Sequence, residues 1–271
     1  MCAFRTAAAL RHGRKQGRGD DIRVRSQGSR TAFLCCCLTR SLFVAVNVVH
    51  HGHGQLFALI ASRDVEEVRK LLSEQPAAGD VNELLPKSSG SSYSRAAIFA
   101  AATESSGDEK AQCEIVSLLL NARAKADLAS THNETALHAV NSLAITKLLL
   151  GADPAPDVNI KGLMERSPLH RQALLGSGPG CQLLIDAKAN VDAVDCEGNT
   201  ALIQALIVSE PSPVSVLLAA KANVFIKNEA GKSAQTVAPS SSLLTSTKKR
   251  TEECKRLISA HIASAGVTPK P

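Results

Sequence analysis

Aromatic residues are scarce in this sequence of 271 residues: they make up 3% of it, with one tyrosine and no tryptophan. Single-stranded nucleic acid is usually bound by aromatic side chains interleaved with basic ones. The scarcity therefore argues against a nucleic-acid-binding surface. Aromatic residues also supply many of the strongest protein–protein contacts, so we expect any protein interface to be modest or extended and built from leucine, methionine and arginine.

Most of the chain carries almost no net charge, because the overall charge of +6 comes from its N-terminal part. Residues 1–54 contain nine basic and two acidic residues, whereas residues 55–271 contain 22 basic and 23 acidic ones. The basic character therefore belongs to a leader and not to the remainder. We predict that residues 1–54 are mostly disordered, unless they serve as a targeting or anchor segment.

The leader also lacks an uninterrupted apolar run. Residues 31–49 are apolar but contain Arg40 and Asn47, and a membrane-spanning helix needs about 20 apolar residues with few charges. Three interpretations stay open. The leader is an untethered extension, or an arginine-rich organellar targeting sequence, or a membrane anchor. Such an anchor is either a transmembrane helix or palmitate attached at Cys35–Cys37. Membrane contact is expected only through residues 31–49, and the protein is otherwise expected in the cytoplasm.

No catalytic or metal-binding motif is complete. None of the eight cysteines forms a Cys-x-x-Cys pair, which zinc sites usually need, and scattered cysteines fit a reducing compartment. Gly231-Lys232-Ser233 lacks the upstream glycine of a phosphate-binding loop. A catalytic histidine needs a nucleophile and an orienting acid close by, and His138 and His170 have no such context. We predict a protein that is not an enzyme and needs no cofactor or metal.

A repeat is present instead. A hydroxyl residue followed by alanine or proline occurs at Thr135, Ser167, Thr200 and Ser233, at intervals of 32, 33 and 33 residues. Such a pair is typical of a helix start, because the hydroxyl accepts a backbone N–H and proline suits the first helical position. A second apolar run follows in each of the first three units. Two short helices per unit are predicted, which are marginal alone and become stable by stacking.

Two segments resemble a known repeat. Residues 195–202 read Asp-Cys-Glu-Gly-Asn-Thr-Ala-Leu, and residues 167–170 read Ser-Pro-Leu-His. Both are similar to the ankyrin repeat, whose units of about 33 residues open with Asp-x-x-Gly-x-Thr-Pro-Leu-His. The resemblance implies an all-α solenoid of stacked helix–turn–helix units with hairpin-like tips, over about residues 55–265.

The period divides this predicted array into six units, four of them clear and the two at the ends eroded. The predicted units are 55–82, 92–128, 130–160, 162–194, 195–227 and 228–265, followed by a tail at 266–271. The stretch 239–253 is predicted as a polar insertion, and residues 254–262 as the last helix. Several turns lack the glycine of the family, so other conformations are expected at Asn133, Glu165, Lys125, Lys188 and Lys221.

The resemblance also implies roles for individual residues. Those of the motif are expected to be structural: Thr135, His138, Ser167, His170, Gly198, Thr200, Gly231 and Ser233. Members of the family bind other proteins through the tips and the concave face of the first helices. Mapped onto this sequence, the tip positions are Thr131, His132, Glu134, Leu163, Met164, Arg166, Cys196, Glu197, Asn199, Glu229 and Lys232.

Four apolar residues at first-helix positions complete the set: Leu174, Leu175, Ile207 and Val208. They either line a binding groove or turn inward to repack the array. The function implied is a monomeric, non-catalytic scaffold that binds another protein. Two alternatives stay open: a membrane-linked or organelle-targeted adaptor whose leader sets its location, and a regulatory fragment of a larger enzyme.

Overall fold

The structure is a computed structural model that describes residues 52–74, 81–82, 84, 96–103, 108–237 and 245–265. The apolar band 31–49, Cys35–Cys37 and the tail 266–271 lie outside the described residues. The predictions of a disordered leader, an anchor or a targeting sequence therefore stay predictions. None of the helices that the structure describes is both long and apolar enough to cross a bilayer.

Pairs of short helices make up the described residues. In chain order the helices are α1 (Gly52–Ser62), α2 (Val65–Glu74), α3 (Ala97–Thr103), α4 (Glu109–Asn121), α5 (Ala136–Ala139), α6 (Leu143–Leu150), α7 (Pro168–Leu174), α8 (Gly178–Asp186), α9 (Ala201–Ile207), α10 (Pro211–Ala219) and α11 (Thr245–Ala265). Apart from one isolated bridge between Val194 and Thr200, this part of the chain contains no β pairing.

The helices stack in two layers. The first helices α1, α3, α5, α7 and α9 contact one another in order, and so do the second helices α2, α4, α6, α8, α10 and finally α11. Leucines that recur with the period fill the space between the layers. Leu137, Leu169 and Leu202 come from the first layer and Leu149, Leu184 and Leu217 from the second, each at most 1% exposed. No single pair of helices encloses this core, so the stack is the stable unit.

Three of the four predicted helix starts begin a helix. α5, α7 and α9 follow Thr135, Ser167 and Thr200, each of which has the extended backbone of an N-cap residue. The hydroxyl of Thr200 accepts the N–H of Ile203 at 3.3 Å, which satisfies one of the donors that a helix start leaves free. In the other two starts the histidine three residues later completes a capping box.

The fourth start, Ser233, does not begin a helix, so this prediction is wrong. Thr236 N donates to Ser233 O at 2.9 Å, and Ser233 N donates to Thr236 Oγ1 at 2.9 Å. An equivalent bond from Ser167 N to the side chain three residues later precedes α7, so the capping bond alone does not commit the chain to a helix. Residues 233–237, the part of this stretch that the structure describes, therefore form no first helix.

The C-terminal part of α9 borders a cavity. In the preceding units the next first helix packs at this place. Here a cavity of about 320 Å³ lies between α9 and α11, with the apolar side chains of Leu206, Val237, Ile258 and Ile262 in its lining. The last unit is therefore incompletely packed.

The last helix is longer than predicted. α11 begins at Thr245 and so includes much of the stretch 239–253 that the sequence predicts as a polar insertion, in addition to residues 254–262. Ile258 anchors the helix in the core. Lysine, arginine and glutamate are strong helix formers, so the charged segment extends the anchored helix into solvent. The basic run Lys248–Arg250 is consequently helical.

Cationic residues in the left-handed conformation end three of the second helices. Arg123, Lys188 and Lys221 have φ values of 64°, 70° and 64°. The N–H of the alanine after each donates to the carbonyl five residues earlier at 2.9 to 3.0 Å, as in a Schellman end, where glycine is usual. The expectation of another conformation at Lys188 and Lys221 is wrong. At the end of α4 the left-handed residue is Arg123, and not Lys125 as the sequence predicts. A cation at the negative end of a helix offsets part of the roughly 1 kcal/mol that such a residue costs.

The buried thiols of Cys181 and Cys254 are expected to react slowly with alkylating reagents. Burial raises the pKa of Cys181 to about 12 and is the main cause that raises the pKa of Cys254 to about 11. The thiolate is the reactive form, so at pH 8 we expect iodoacetamide labelling on the order of a hundredfold slower than in the urea-unfolded chain. Peptide mass spectrometry measures both rates. Equal rates in the native and unfolded chain would contradict the packing of α8 and α11.

Candidate partner-binding edge

Four turns with the same hydrogen bonds, here called the tips, precede the first helices. They comprise residues 130–134, 162–166, 195–199 and 228–232. In each tip the first N–H donates to the fifth carbonyl, and the fourth N–H donates to the first carbonyl, all at 2.8 to 3.0 Å. The fourth residue has positive φ whether it is glycine or not: Asn133, Glu165, Gly198 and Gly231. The other conformation expected at Asn133 and Glu165 is therefore wrong.

Neighbouring tips are also hydrogen-bonded to each other. Asn133 Nδ2 donates to Lys161 O at 2.6 Å. Farther along, Cys196 N donates to Met164 O and Glu229 N donates to Glu197 O, both at 2.9 Å. The four tips thus form one continuous edge, which we call the tip edge.

Two buried histidines connect the helix starts to the tips. Ser167 N donates to His170 Nδ1 at 3.2 Å, and His170 Nε2 lies 3.0 Å from Asn199 O in the next tip. His138 makes the same bonds with Thr135 N and with Arg166 O in the next tip, the latter at 3.1 Å, and its Nε2 also lies 3.0 Å from Ile160 O. Because Nδ1 accepts a backbone N–H, the proton lies on Nε2 and the ring is neutral. Burial lowers the pKa of both histidines.

A buried carboxylate links two neighbouring tips. The side chain of Asp195 is 0% exposed. Its Oδ1 accepts the N–H groups of Glu197 and Asn199 at 3.0 and 2.9 Å. Its Oδ2 accepts Gln204 Nε2 at 2.8 Å and Arg166 Nε at 3.4 Å. The guanidinium of Arg166, placed among the partner-binding residues by the sequence, is therefore engaged inside the array.

The comparison with known proteins settles the type of repeat. No protein-family model matches the sequence. Among solved structures, that of EF0377, an ankyrin repeat protein, is similar with a TM-score of 0.59, at 18% identity over 78% of this chain and 98% of that one. The chain has the ankyrin-repeat fold. The predicted all-α solenoid is thereby confirmed, and an identity this low carries the fold alone.

The ankyrin tips expose most, but not all, of the residues predicted to bind a partner. Exposed are Thr131, His132, Leu163, Met164, Glu197, Glu229 and Lys232; half-buried are Glu134, Arg166 and Cys196; Asn199 is buried. Asn199 is 2% exposed and its Oδ1 accepts Asn228 Nδ2 at 2.9 Å. Its side chain therefore joins tips and offers no surface to a partner.

The first-helix candidates divide in a similar way. Leu175 is exposed, whereas Leu174, Ile207 and Val208 are half-buried, and Ile207 packs against the core. Leu175 follows the C-terminal end of α7, while the tip of the same ankyrin unit precedes its N-terminal end. A seven-residue helix is about 10 Å long, so Leu175 lies away from the tip edge.

One ankyrin tip stands out through its apolar surface. Leu163 is 56% exposed and Met164 is 39% exposed. Met164 and Glu165 also follow one another in the left-handed conformation, with φ of 59° and 55°. Each such residue costs about 1 kcal/mol or more, and strain of this kind tends to cluster at functional sites. Tip 162–166 is therefore the strongest candidate for the centre of an interface.

The stability of the ankyrin array is expected to fall in mild acid. Its two buried histidines are neutral and have lowered pKa values, so below the ordinary value of about 6.5 the unfolded chain binds protons that the folded chain does not. Their contribution is complete above that pH and is lost as the pH falls through the folded-state pKa values. Urea unfolding followed by circular dichroism at pH 7.5 and 5.5 measures the effect.

Two variants identify the histidines as its source. His170→Gln is expected to reduce the difference between the two pH values, because one buried titrating ring is removed. Gln235→Ala, which removes an exposed side chain that does not titrate, is expected to leave the difference unchanged. An identical pH dependence in both variants would contradict the assignment.

Proposed function

We propose that the protein is a non-catalytic scaffold that binds another protein along its tip edge, with tip 162–166 at the centre. The observation that carries this is the side-by-side exposure of Leu163 and Met164 on a backbone held in an unfavourable conformation. An apolar pair in water gains free energy when a partner covers it, at roughly 25 cal/mol per Å². The ankyrin-repeat fold of the chain supports the proposal, since proteins with this fold bind partners at the tips.

Charged residues at the end of the array favour a monomeric scaffold. Lys248, Lys249, Glu252, Glu253 and Arg256 on α11 are exposed. A polar outer face on the terminal unit is what keeps a repeat array from stacking on a second copy.

The cysteines support a reducing compartment, and we propose the cytoplasm. Cys113, Cys181 and Cys254 are free thiols in the part of the chain that the structure describes. Free thiols persist where the compartment keeps them reduced. In the alternative, a membrane-linked or organelle-targeted adaptor, residues 1–54 set the location of the protein.

Partner capture is expected to be lost when the apolar pair is removed. In a pull-down or proximity-labelling comparison with the full chain, Leu163→Ser/Met164→Ser is expected to lower partner recovery by ten- to a hundredfold, since the two apolar contacts together contribute about 1.4 to 2.8 kcal/mol. Leu175→Ser is the matched control, because this leucine is 41% exposed and lies off the tip edge. If Leu175→Ser loses the partners and the tip variant keeps them, the binding surface lies on the first-helix side.

A further inference from the structure

Two glutamates lie beside the apolar pair on the tip edge. Glu197 and Glu229 belong to the next two tips, and both are exposed. Glu229 N donates to Glu197 O at 2.9 Å, which makes the two residues direct neighbours. Like charges placed opposite each other across such a bond repel.

The array itself does not neutralise these two carboxylates. On the tip edge Lys161 pairs with Glu165 and Arg166 pairs with Asp195. Glu197 Oε2 accepts a hydrogen bond from the neutral amide Asn199 Nδ2 at 2.9 Å, but neither Glu197 nor Glu229 belongs to an ion pair among the residues that the structure describes. A cation supplied by a partner would therefore remove a repulsion as well as add an attraction, and charge complementarity of this kind selects partners.

The hydrogen bonds between tips set the distance from the apolar pair to the carboxylates. Met164 O accepts Cys196 N, the next residue is Glu197, and its O accepts Glu229 N. Each step across a backbone hydrogen bond is about 4.8 Å and each step along the chain about 3.8 Å. The backbone of Glu197 consequently lies up to about 9 Å, and that of Glu229 up to about 13 Å, from the backbone of Met164, a mean of about 11 Å that an extended chain spans with about three residues.

We propose that the partner binds as an extended segment with a large apolar side chain and, three residues away, an arginine or lysine. The apolar side chain covers Leu163 and Met164, and the cation lies between the carboxylates of Glu197 and Glu229. Arginine suits the site best because its planar guanidinium can contact two carboxylates at once. This inference rests on the proposed function and names the chemistry of the partner.

Labelled synthetic ten-residue peptides test this chemistry with the full chain by fluorescence anisotropy. One peptide carries Leu-x-x-Arg in a Gly/Ser background, a second carries Leu-x-x-Glu, and a third is a helical peptide with leucine and arginine seven residues apart, a similar span of about 10 Å. We expect the Leu-x-x-Arg peptide to bind at least about tenfold more tightly than the other two. Its affinity is expected to fall between 50 and 500 mM salt, because exposed charges are screened.

Charge reversal separates this inference from the proposed function. Glu197→Arg/Glu229→Arg is expected to fold, since both side chains are exposed, and to reverse the preference in favour of the Leu-x-x-Glu peptide. Three results would overturn the inference while leaving the tip edge as the docking surface. The variant could keep the preference for arginine, the helical peptide could bind most tightly, or none of the peptides could bind. If Leu163→Ser/Met164→Ser leaves peptide binding and partner capture unchanged, the proposed function fails instead.

Discussion

Replacing Asp195 by alanine is expected to lower the free energy of unfolding by about 4 kcal/mol. The carboxylate is fully buried and accepts four hydrogen bonds, one of them from Arg166. Removing one partner of a buried ion pair typically costs about 3 to 5 kcal/mol, because the remaining charge is left without compensation. Arg166 is 26% exposed, so water compensates part of its charge and keeps the loss from exceeding that range.

Urea unfolding followed by circular dichroism measures this loss. Glu229→Ala is the control, since an exposed glutamate outside any described ion pair is expected to change the free energy of unfolding by no more than about 0.5 kcal/mol. Asp195→Asn is expected to lie between the two, because it keeps the shape and one acceptor but places an amide N–H against Gln204 Nε2. A loss below about 1 kcal/mol in Asp195→Ala would show that the tips do not depend on this carboxylate.

Replacing His170 by alanine is expected to cost about 3 kcal/mol of stability. The ring is 1% exposed and bonds Ser167 N on one side and Asn199 O on the other. Its removal leaves the buried N–H of Ser167 without its acceptor, at about 1 to 3 kcal/mol, takes one of two hydrogen bonds from Asn199 O, which keeps the N–H of Asp195, and creates a cavity. Water that enters the vacated space can accept and donate some of the lost hydrogen bonds. The expected loss in the free energy of unfolding is therefore less than the sum of these costs.

The exposed His132 supplies the comparison. His132→Ala is expected to shift the unfolding midpoint only slightly, while His170→Ala moves it to clearly lower urea concentration. Equal midpoints would contradict the buried network that joins helix starts to the tips.

Local chemistry is what made the helix starts predictable. Thr135, Ser167 and Thr200 are N-cap residues because each hydroxyl lies next to the backbone donors that it can satisfy, and Leu169 or Leu202 two residues later faces the core. These relations span only three residues. They are therefore visible in the sequence without any knowledge of how units stack.

Contacts between units were not predictable in the same way. Asp195 bonds Arg166 across 29 residues, and Asn228 bonds Asn199 across the same interval. Neither partner is marked by its neighbours in sequence, so Arg166 and Asn199 were predicted to face a partner. The structure shows that these side chains hold the tips together instead.

The end of the array escaped prediction for a related reason. Ser233 has the residues of a helix start and the capping bond from its N–H to Thr236 Oγ1, yet residues 234–236 form a turn. Whether a capped start continues as a helix depends on packing that the local sequence does not record. In the same way the left-handed Lys188 and Lys221 follow from stacking, which imposes the helix end despite the missing glycine.

The tip edge as the site of partner binding can be tested most directly with a photo-crosslinking amino acid placed at position 163 or at position 175. Both positions hold exposed leucines, at 56% and 41%, but only the first lies on the tip edge. Irradiation of the full chain in cells and mass spectrometry of the adducts give the contact site without disturbing the rest of the array. We predict protein adducts from position 163 and none above background from position 175. Adducts from position 175 alone would contradict the tip edge as the binding surface.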